Sequence, residues 1–485
     1  MNPAVLGPLD YAVIVGYLAA ITAFGSWFAR FQKTTRDYFL TGRSVPGWAI
    51  CCTIVATETS TLSFIGVPAQ SFAGNMTFLQ IVFGYIVGRF LVSLIFLPAY
   101  FRGDLFTTYE LLQRRFGAPV KNLSAIVFLV TRSLADGIRL YATALVIAVV
   151  TQTNVSLIVV VLGAAMIVYT MRGGVAAVIW TDVVQLFVYA AGALVVFGSL
   201  VSQIDGGLGA ALALGGEAGK LRVFDFALDA TRVYTFWSGL FGGIALTLAT
   251  HGTDQFLVQR LLSARSLRDA RLGLVASGFI VFAQFCFFLL IGVLLFAYYQ
   301  QTPLPVPLDR NDKILSIYVI HSLRYGAAGF IVAAIVAAAL SPSINSMAAT
   351  TVNDFYLKYV RPDADEATLM RLSRIATVFW GVVQVGVALG AQWMQQGVLD
   401  AGLSVLSLAS GSVLGAFLLG TVGRGASSRA TFIGMVAGLA TMLYVWSATP
   451  IAWTWHALIG ATVTVLVAQI VDRAVRGRDA PAPAA

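Results

Sequence analysis

Charge is scarce in this sequence. Only 11% of its 485 residues are Asp, Glu, Lys or Arg, against roughly 25% in soluble domains, which excludes an ordinary water-soluble globule. Histidine occurs three times, and so does cysteine, at Cys51, Cys52 and Cys286, each inside an apolar run. That excludes a disulfide framework, and no zinc-ligand spacing appears, so the cysteines read as packing residues. No nucleophile–base pair stands out either, and an enzyme is not expected. The opening run "MNPAVLGPLDYAV" lacks a basic segment ahead of it and reads as a retained helix, not a cleaved signal. The alternating segments of about ten residues that build a membrane barrel are also missing.

What is abundant is apolar surface: 58% of residues are hydrophobic and the mean hydropathy is +0.84. The apolar runs are about twenty residues long, matching helices that cross a hydrocarbon core of roughly 30 Å. The expected fold is therefore an all-α polytopic membrane protein, a single transmembrane domain with about thirteen transmembrane helices. The spans are placed near 8–28, 46–72, 77–101, 122–150, 154–171, 175–202, 233–251, 272–299, 326–357, 372–394, 399–422, 429–447 and 450–471. Basic residues cluster in alternate connections, among them Arg30 to Arg43, Arg102 to Lys121, Arg260 to Arg271 and Lys358 to Arg374. The positive-inside rule puts that set in the cytoplasm, the N-terminus outside and the C-terminus inside, in the cell's inner (plasma) membrane. The net charge of +9 is thus an orientation signal, and no basic motif points to nucleic acid. The expected partners are the lipid bilayer and a small-molecule solute, with the chain a monomer or weak oligomer.

Ionisable groups inside a membrane are costly and mark candidate sites. Within "ATETSTLSFIG", Glu58 is the only charge between Arg43 and Arg89, and Thr57, Thr59, Ser60, Thr61 and Ser63 surround it. Hydroxyl side chains compete for backbone groups, so this stretch predicts a helix broken near mid-membrane, where freed carbonyls bind ions or solutes. The plainer alternative is hydroxyls bonded within one helix, with Glu58 paired to an arginine. In "TRSLADGIRL", Arg132, Asp136 and Arg139 follow i, i+4, i+7 and share a face. They form either a carboxylate grip or an internal ion-pair ladder. Asp182 and Gln185 lie one turn apart in the sixth span, as ion ligands or as a structural anchor. Pro342, between Ser341 and Ser343, predicts a kink that frees the carbonyl of Ala338. Gln80 and Gln284 are polar residues in apolar spans and candidate cavity groups. Arg89 reads as an ion-pair partner or a snorkelling side chain ahead of a solute-binding group, and His251 as a cap or loop-edge residue ahead of a proton relay.

Five blocks then carry a resemblance: "DYFLTGRSVPGWAI", "TTYELLQRRFG", "GGVAAVIWTDVVQ", "GTDQFLVQRLLSARSLRDAR" and "SPSINSMAATTVNDFY". In this order, over nearly the whole chain, they resemble the sodium–solute symporters, carriers of sugars, proline, sialate, iodide and monocarboxylates. The resemblance implies the leucine-transporter-type fold of two inverted five-helix repeats, here 46–202 and 233–422, with one helix before and two after, 429–471. It implies that the first helix of each repeat is interrupted, in the second case within "SGLFGGIALTLATHG". It also implies sodium as the coupling ion, bound by the carbonyls of Ala56 and Thr59, with Asp182 linked to coupling. Glu58, Ser60, Ser63, Gln80 and Gln284 match positions at or near the solute cavity, and Arg132 or Arg139 lies where sialate-type relatives bind a carboxylate. One departure stands out: Ala338 and Ala339 replace a hydroxyl pair that completes the shared sodium site. A displaced site is then expected, using the Ala338 carbonyl, Ser341 and Asp182. Alternatively, Glu58 supplies the charge, as sodium ligand or as a proton-coupling group. The function expected is cation-coupled symport of a carboxylate or acidic sugar. A proton-coupled or uncoupled carrier of a zwitterionic or neutral solute is the alternative, and a channel or sensor the remoter one.

Overall fold

The structure, a computed structural model, describes residues 6–28, 34–102, 105–323, 326–339, 343–394, 397–422 and 426–478. Among them every regular element is helical, and the extended contact between Val45 and Ala264 is an isolated bridge. This follows from the composition, since a helix satisfies its own backbone where lipid offers no partner. The main helices, in chain order, are α1 Pro8–Trp27, α2 Gly47–Glu58, α3 Thr61–Ala73, α4 Leu79–Ile95 and α5 Ala118–Thr151. They continue with α6 Val155–Gln203, α7 Gly243–Gly252, α8 Gln255–Leu262, α9 Leu267–Gln301 and α10 Ala327–Ala339. The last are α11 Ile344–Ala349, α12 Glu366–Gly390, α13 Val398–Thr421, α14 Ser428–Ala448 and α15 His456–Arg478.

Among the described residues, eight helices are long and apolar enough to cross a membrane, and α2 with α3, bent by 59°, makes a ninth span. The other predicted spans coincide with α5, the first part of α6, α7 and α10 with α11. Gly174 divides α6 into two spans: its φ of 58° and ψ of −160° suit glycine alone and turn the chain after the first span. Large apolar side chains such as Phe187, Leu194, Leu443 and Trp446 are exposed on the outside, as a lipid-facing surface requires.

Two places differ from expectation. The glycines of "SGLFGG" form a short π-helical turn, Ser238–Gly242, that lets α4 come close. A Cβ on Gly84 would stand 2.5 Å from the Gly239 carbonyl oxygen. The interruption in this span comes later, at Thr253 and Asp254, and α8 continues it as a fully buried helix. Arg260, counted above as a cytoplasmic charge, is thus only 1% exposed inside the protein. Lys121, from the same set, is likewise buried, paired with Asp354 at 3.1 Å.

Candidate functional site

The break between α2 and α3 has a local cause. Thr59 (ψ 67°) and Ser60 (ψ 171°) leave the helical region. The hydroxyls of this stretch have taken over backbone carbonyls. Thr57 Oγ1 donates to the Thr53 carbonyl at 2.7 Å and Ser63 Oγ to that of Glu58 at 2.9 Å. Thr59 Oγ1 lies 2.8 Å from the Val55 carbonyl and 2.8 Å from Gln284 Oε1 of α9. A helix end leaves its last carbonyls without intrahelical partners. Val55 and Glu58 are satisfied as described, whereas among the described residues the carbonyls of Ala56 and Thr59 receive no hydrogen bond. Two neutral oxygens bared inside the protein are the kind of ligand a hard cation takes.

A cavity opens beside the break, its ≈ 870 Å³ of empty space including adjoining open solvent. Thr57, Glu58, Ser60 and Ser63 face it from the break, and Arg132 and Arg139 from α5. His251 and Phe256 reach it from the corner between α7 and α8, and Leu399, Leu403 and Leu406 of α13 supply an apolar wall. Such a mixture, mostly apolar with a few convergent polar groups, is typical of small-molecule sites.

Glu58 is held by two partners. Arg89 Nη2 and His251 Nε2 both meet its Oε1. Arg89 is fully buried, while the Glu58 side chain keeps 15% exposure, which opens onto the cavity. The arginine that pairs with Glu58 is thus Arg89, whereas Arg132 and Arg139 face Asp136 and Asp254. His251, expected at a cap or loop edge, is a buried cavity residue of α7. Sequence reasoning missed it because a lone histidine near a helix end carries no signal of what faces it.

Arg132 pairs with Asp254, the residue that caps α8. Asp136 lies between the two arginines of α5, 3.7 Å from Arg132 and 3.6 Å from Arg139. Those separations exceed hydrogen-bond length, and among the described residues both Asp136 oxygens lack a hydrogen bond. The ladder is real but loose, and its two arginines, not Asp136, form the cavity wall.

Asp182 is fully buried below the break, 3.2 Å from Arg260 and 3.5 Å from Thr57 Oγ1, with Thr53 also bonded to it. Its charge is matched inside the protein. Gln80 is not brought to the cavity. Its amide takes the Thr77 and Tyr234 carbonyls at 3.1 Å each and accepts the Asp225 amide at 2.9 Å, so it anchors the segment before the π turn. Gln284 meets the break through Thr59 and is not among the cavity-lining groups. Ser341 lies outside the described residues, as do the surroundings of Ala338 at the end of α10.

Comparison with known proteins places this geometry. Residues 38–467 match the sodium:solute symporter family. The sodium/sialic acid symporter NanT of Aliivibrio fischeri is 32% identical over 478 residues, covering 96% of this chain and 93% of that protein. Human sodium-coupled monocarboxylate transporter 1 is 30% identical over 449 residues, with 90% of this chain and 73% of that one covered. The solved structure of a Na+-coupled sialic acid symporter in a substrate-bound outward-open state is similar, with a TM-score of 0.90 and 26% identity over 96% of this chain and 98% of that one.

Proposed function

The chain belongs to the sodium:solute symporter family, and from that premise we propose that it carries a small organic carboxylate into the cell together with sodium, by alternating access. Its fold is the leucine-transporter-type arrangement, and it is a multi-pass membrane transporter, not an enzyme. The observation that carries the solute reading is the pair Arg132 and Arg139 on the cavity wall, with the loosely placed Asp136 between them. A guanidinium fork matches a carboxylate with two parallel hydrogen bonds. Ser60 and Ser63 add hydroxyls for the remaining polar groups of the solute. The names of the sialic acid and monocarboxylate relatives support an acidic cargo.

Sodium enters as cargo. Its ligands in this reading are the bare carbonyls of Ala56 and Thr59, joined by the Ala338 carbonyl at the end of α10 and by Ser341, with Asp182 as the acid linked to coupling. The inverted repeats are 46–202 and 233–422, a division supported by the interruptions at Thr59–Ser60 and at Thr253–Asp254. The basic connections put the N-terminus outside and the C-terminus in the cytoplasm of the plasma membrane. A second reading, proton coupling through Glu58, draws on its contact with His251.

Uptake of sialic acid and of short monocarboxylates into proteoliposomes separates the readings. Sodium-driven uptake that Glu58→Gln leaves sodium-dependent supports the first. Uptake driven by a proton gradient alone, and abolished by Glu58→Gln, supports the second.

A further inference from the structure

Asp254 joins two structures beside the cavity, behind its wall residue Arg132. Its Oδ1 accepts the Phe256 amide at 2.8 Å and so caps α8, while its Oδ2 meets Arg132 of α5. The Phe256 ring then sits 4.6 Å from the Arg132 guanidinium carbon, 6.0 Å from that of Arg139 and 4.2 Å from that of Arg260, within the range of cation–π attraction. The start of α8 is therefore tied to α5 through two arginines that a solute in the cavity can touch. Other ties of this corner, Arg260 to Asp182 and Gln255 to the Thr108 amide, involve groups outside the cavity wall.

We propose that Asp254 is an internal stand-in for the solute's carboxylate. It holds Arg132 in the empty carrier and is displaced when a solute carboxylate takes that guanidinium. Its departure releases α8 and opens the cytoplasmic side of the cavity. The proposal rests on the carboxylate reading above. Arg132 and Arg139 are balanced by Asp136 and Asp254, so an arriving carboxylate is a third acid around two guanidiniums, and like charges so placed repel. Asp136 shares a helix with both arginines and cannot move away from them. Asp254 belongs to another element, and the loss of its ion pair leaves its capping bond intact. The empty carrier thus stays closed inside, and the solute itself is the key.

Asp254→Asn tests this on the full-length protein, because asparagine caps a helix as well as aspartate does but carries no charge. Binding of sialic acid and of propionate is measured in detergent at fixed sodium, and uptake in proteoliposomes. The variant is expected to bind the accepted acid about tenfold more tightly, with a lower KM and a lower maximal rate, because nothing displaces the bound acid. A purely structural role would instead raise KM or lower rate alone. A second readout needs no solute: Ala135→Cys, in a background with Cys51, Cys52 and Cys286 replaced by alanine, is labelled from the cytoplasmic face of inside-out vesicles. Labelling is expected to be several-fold faster with Asp254→Asn and unchanged with Asp254→Glu. Unaltered affinity and labelling in a carboxylate-binding protein overturn the Asp254 proposal alone. Failure of the wild type to bind either acid overturns the carboxylate reading and the displacement step with it.

Discussion

Replacing Glu58 by glutamine is expected to destabilise the protein more than replacing Arg89 by methionine, although the two form one ion pair. Arg89 has no exposure, and among the described residues its Nε and Nη1 have no hydrogen bond, so Glu58 is the charge that balances it. Taking one partner from a buried pair costs about 3–5 kcal/mol. The glutamine oxygen still accepts one hydrogen bond, which recovers about 1 kcal/mol, leaving a loss of about 2–4 kcal/mol. Arg89→Met is different. Methionine fills much of the space of the arginine stem, and Glu58 keeps His251 and its 15% opening to the cavity. The loss there is about 1.5–3 kcal/mol, that of one charged hydrogen bond. With both changes no charge is stranded, and the double variant should return close to wild type, giving a coupling energy near the sum of the single losses, about 3.5 kcal/mol or more. Denaturant unfolding of the four proteins in one detergent, with slopes compared, measures the cycle. Additive single effects, or a Glu58→Gln protein as stable as wild type, would refute the reasoning.

Three further outcomes are expected. Arg139→Lys keeps the charge but loses the fork, so KM for the transported carboxylate should rise about tenfold in proteoliposome uptake. Asp182→Asn leaves Arg260, 1% exposed, opposite a neutral amide. Its stability should fall by about 3 kcal/mol and recover on adding Arg260→Met, as read by denaturant unfolding. In Gly292→Ala the new methyl would meet the Pro68 carbonyl and Ser71 Oγ at 2.1 Å each. α9 must then move from α3, and thermal unfolding should show a loss of about 1–3 kcal/mol.

The helical fold was legible because hydropathy acts over twenty residues at a time, a signal no single side chain overturns. The break at Thr59 was legible for a local reason too: the hydroxyls that end α2 bond to carbonyls within five residues of themselves. The shared face of Arg132 and Arg139 follows from helical spacing alone. Partners across the fold were not legible. Arg89 and His251 converge on Glu58 from separate helices, and nothing near Glu58 in the chain specifies either. The same gap hid α8: "QFLVQRLL" reads as a charged connection until Asp182 is seen to neutralise Arg260. Gln80 shows the converse, since a polar residue in an apolar span looks alike whether it lines a cavity or, as here, holds the loop residues Asp225 and Tyr234.

The central claim, sodium-coupled import of a carboxylate through the cavity beside Glu58, is tested most directly by accumulation. Proteoliposomes holding the purified protein are given an inward sodium gradient and labelled sialic acid or a labelled monocarboxylate. The account predicts internal solute rising above the external concentration, collapse of that excess when the sodium gradient is dissipated, and loss of uptake in a protein carrying Arg132→Ala and Arg139→Ala. Uptake that merely equilibrates, or that ignores sodium and survives removal of both arginines, would contradict it.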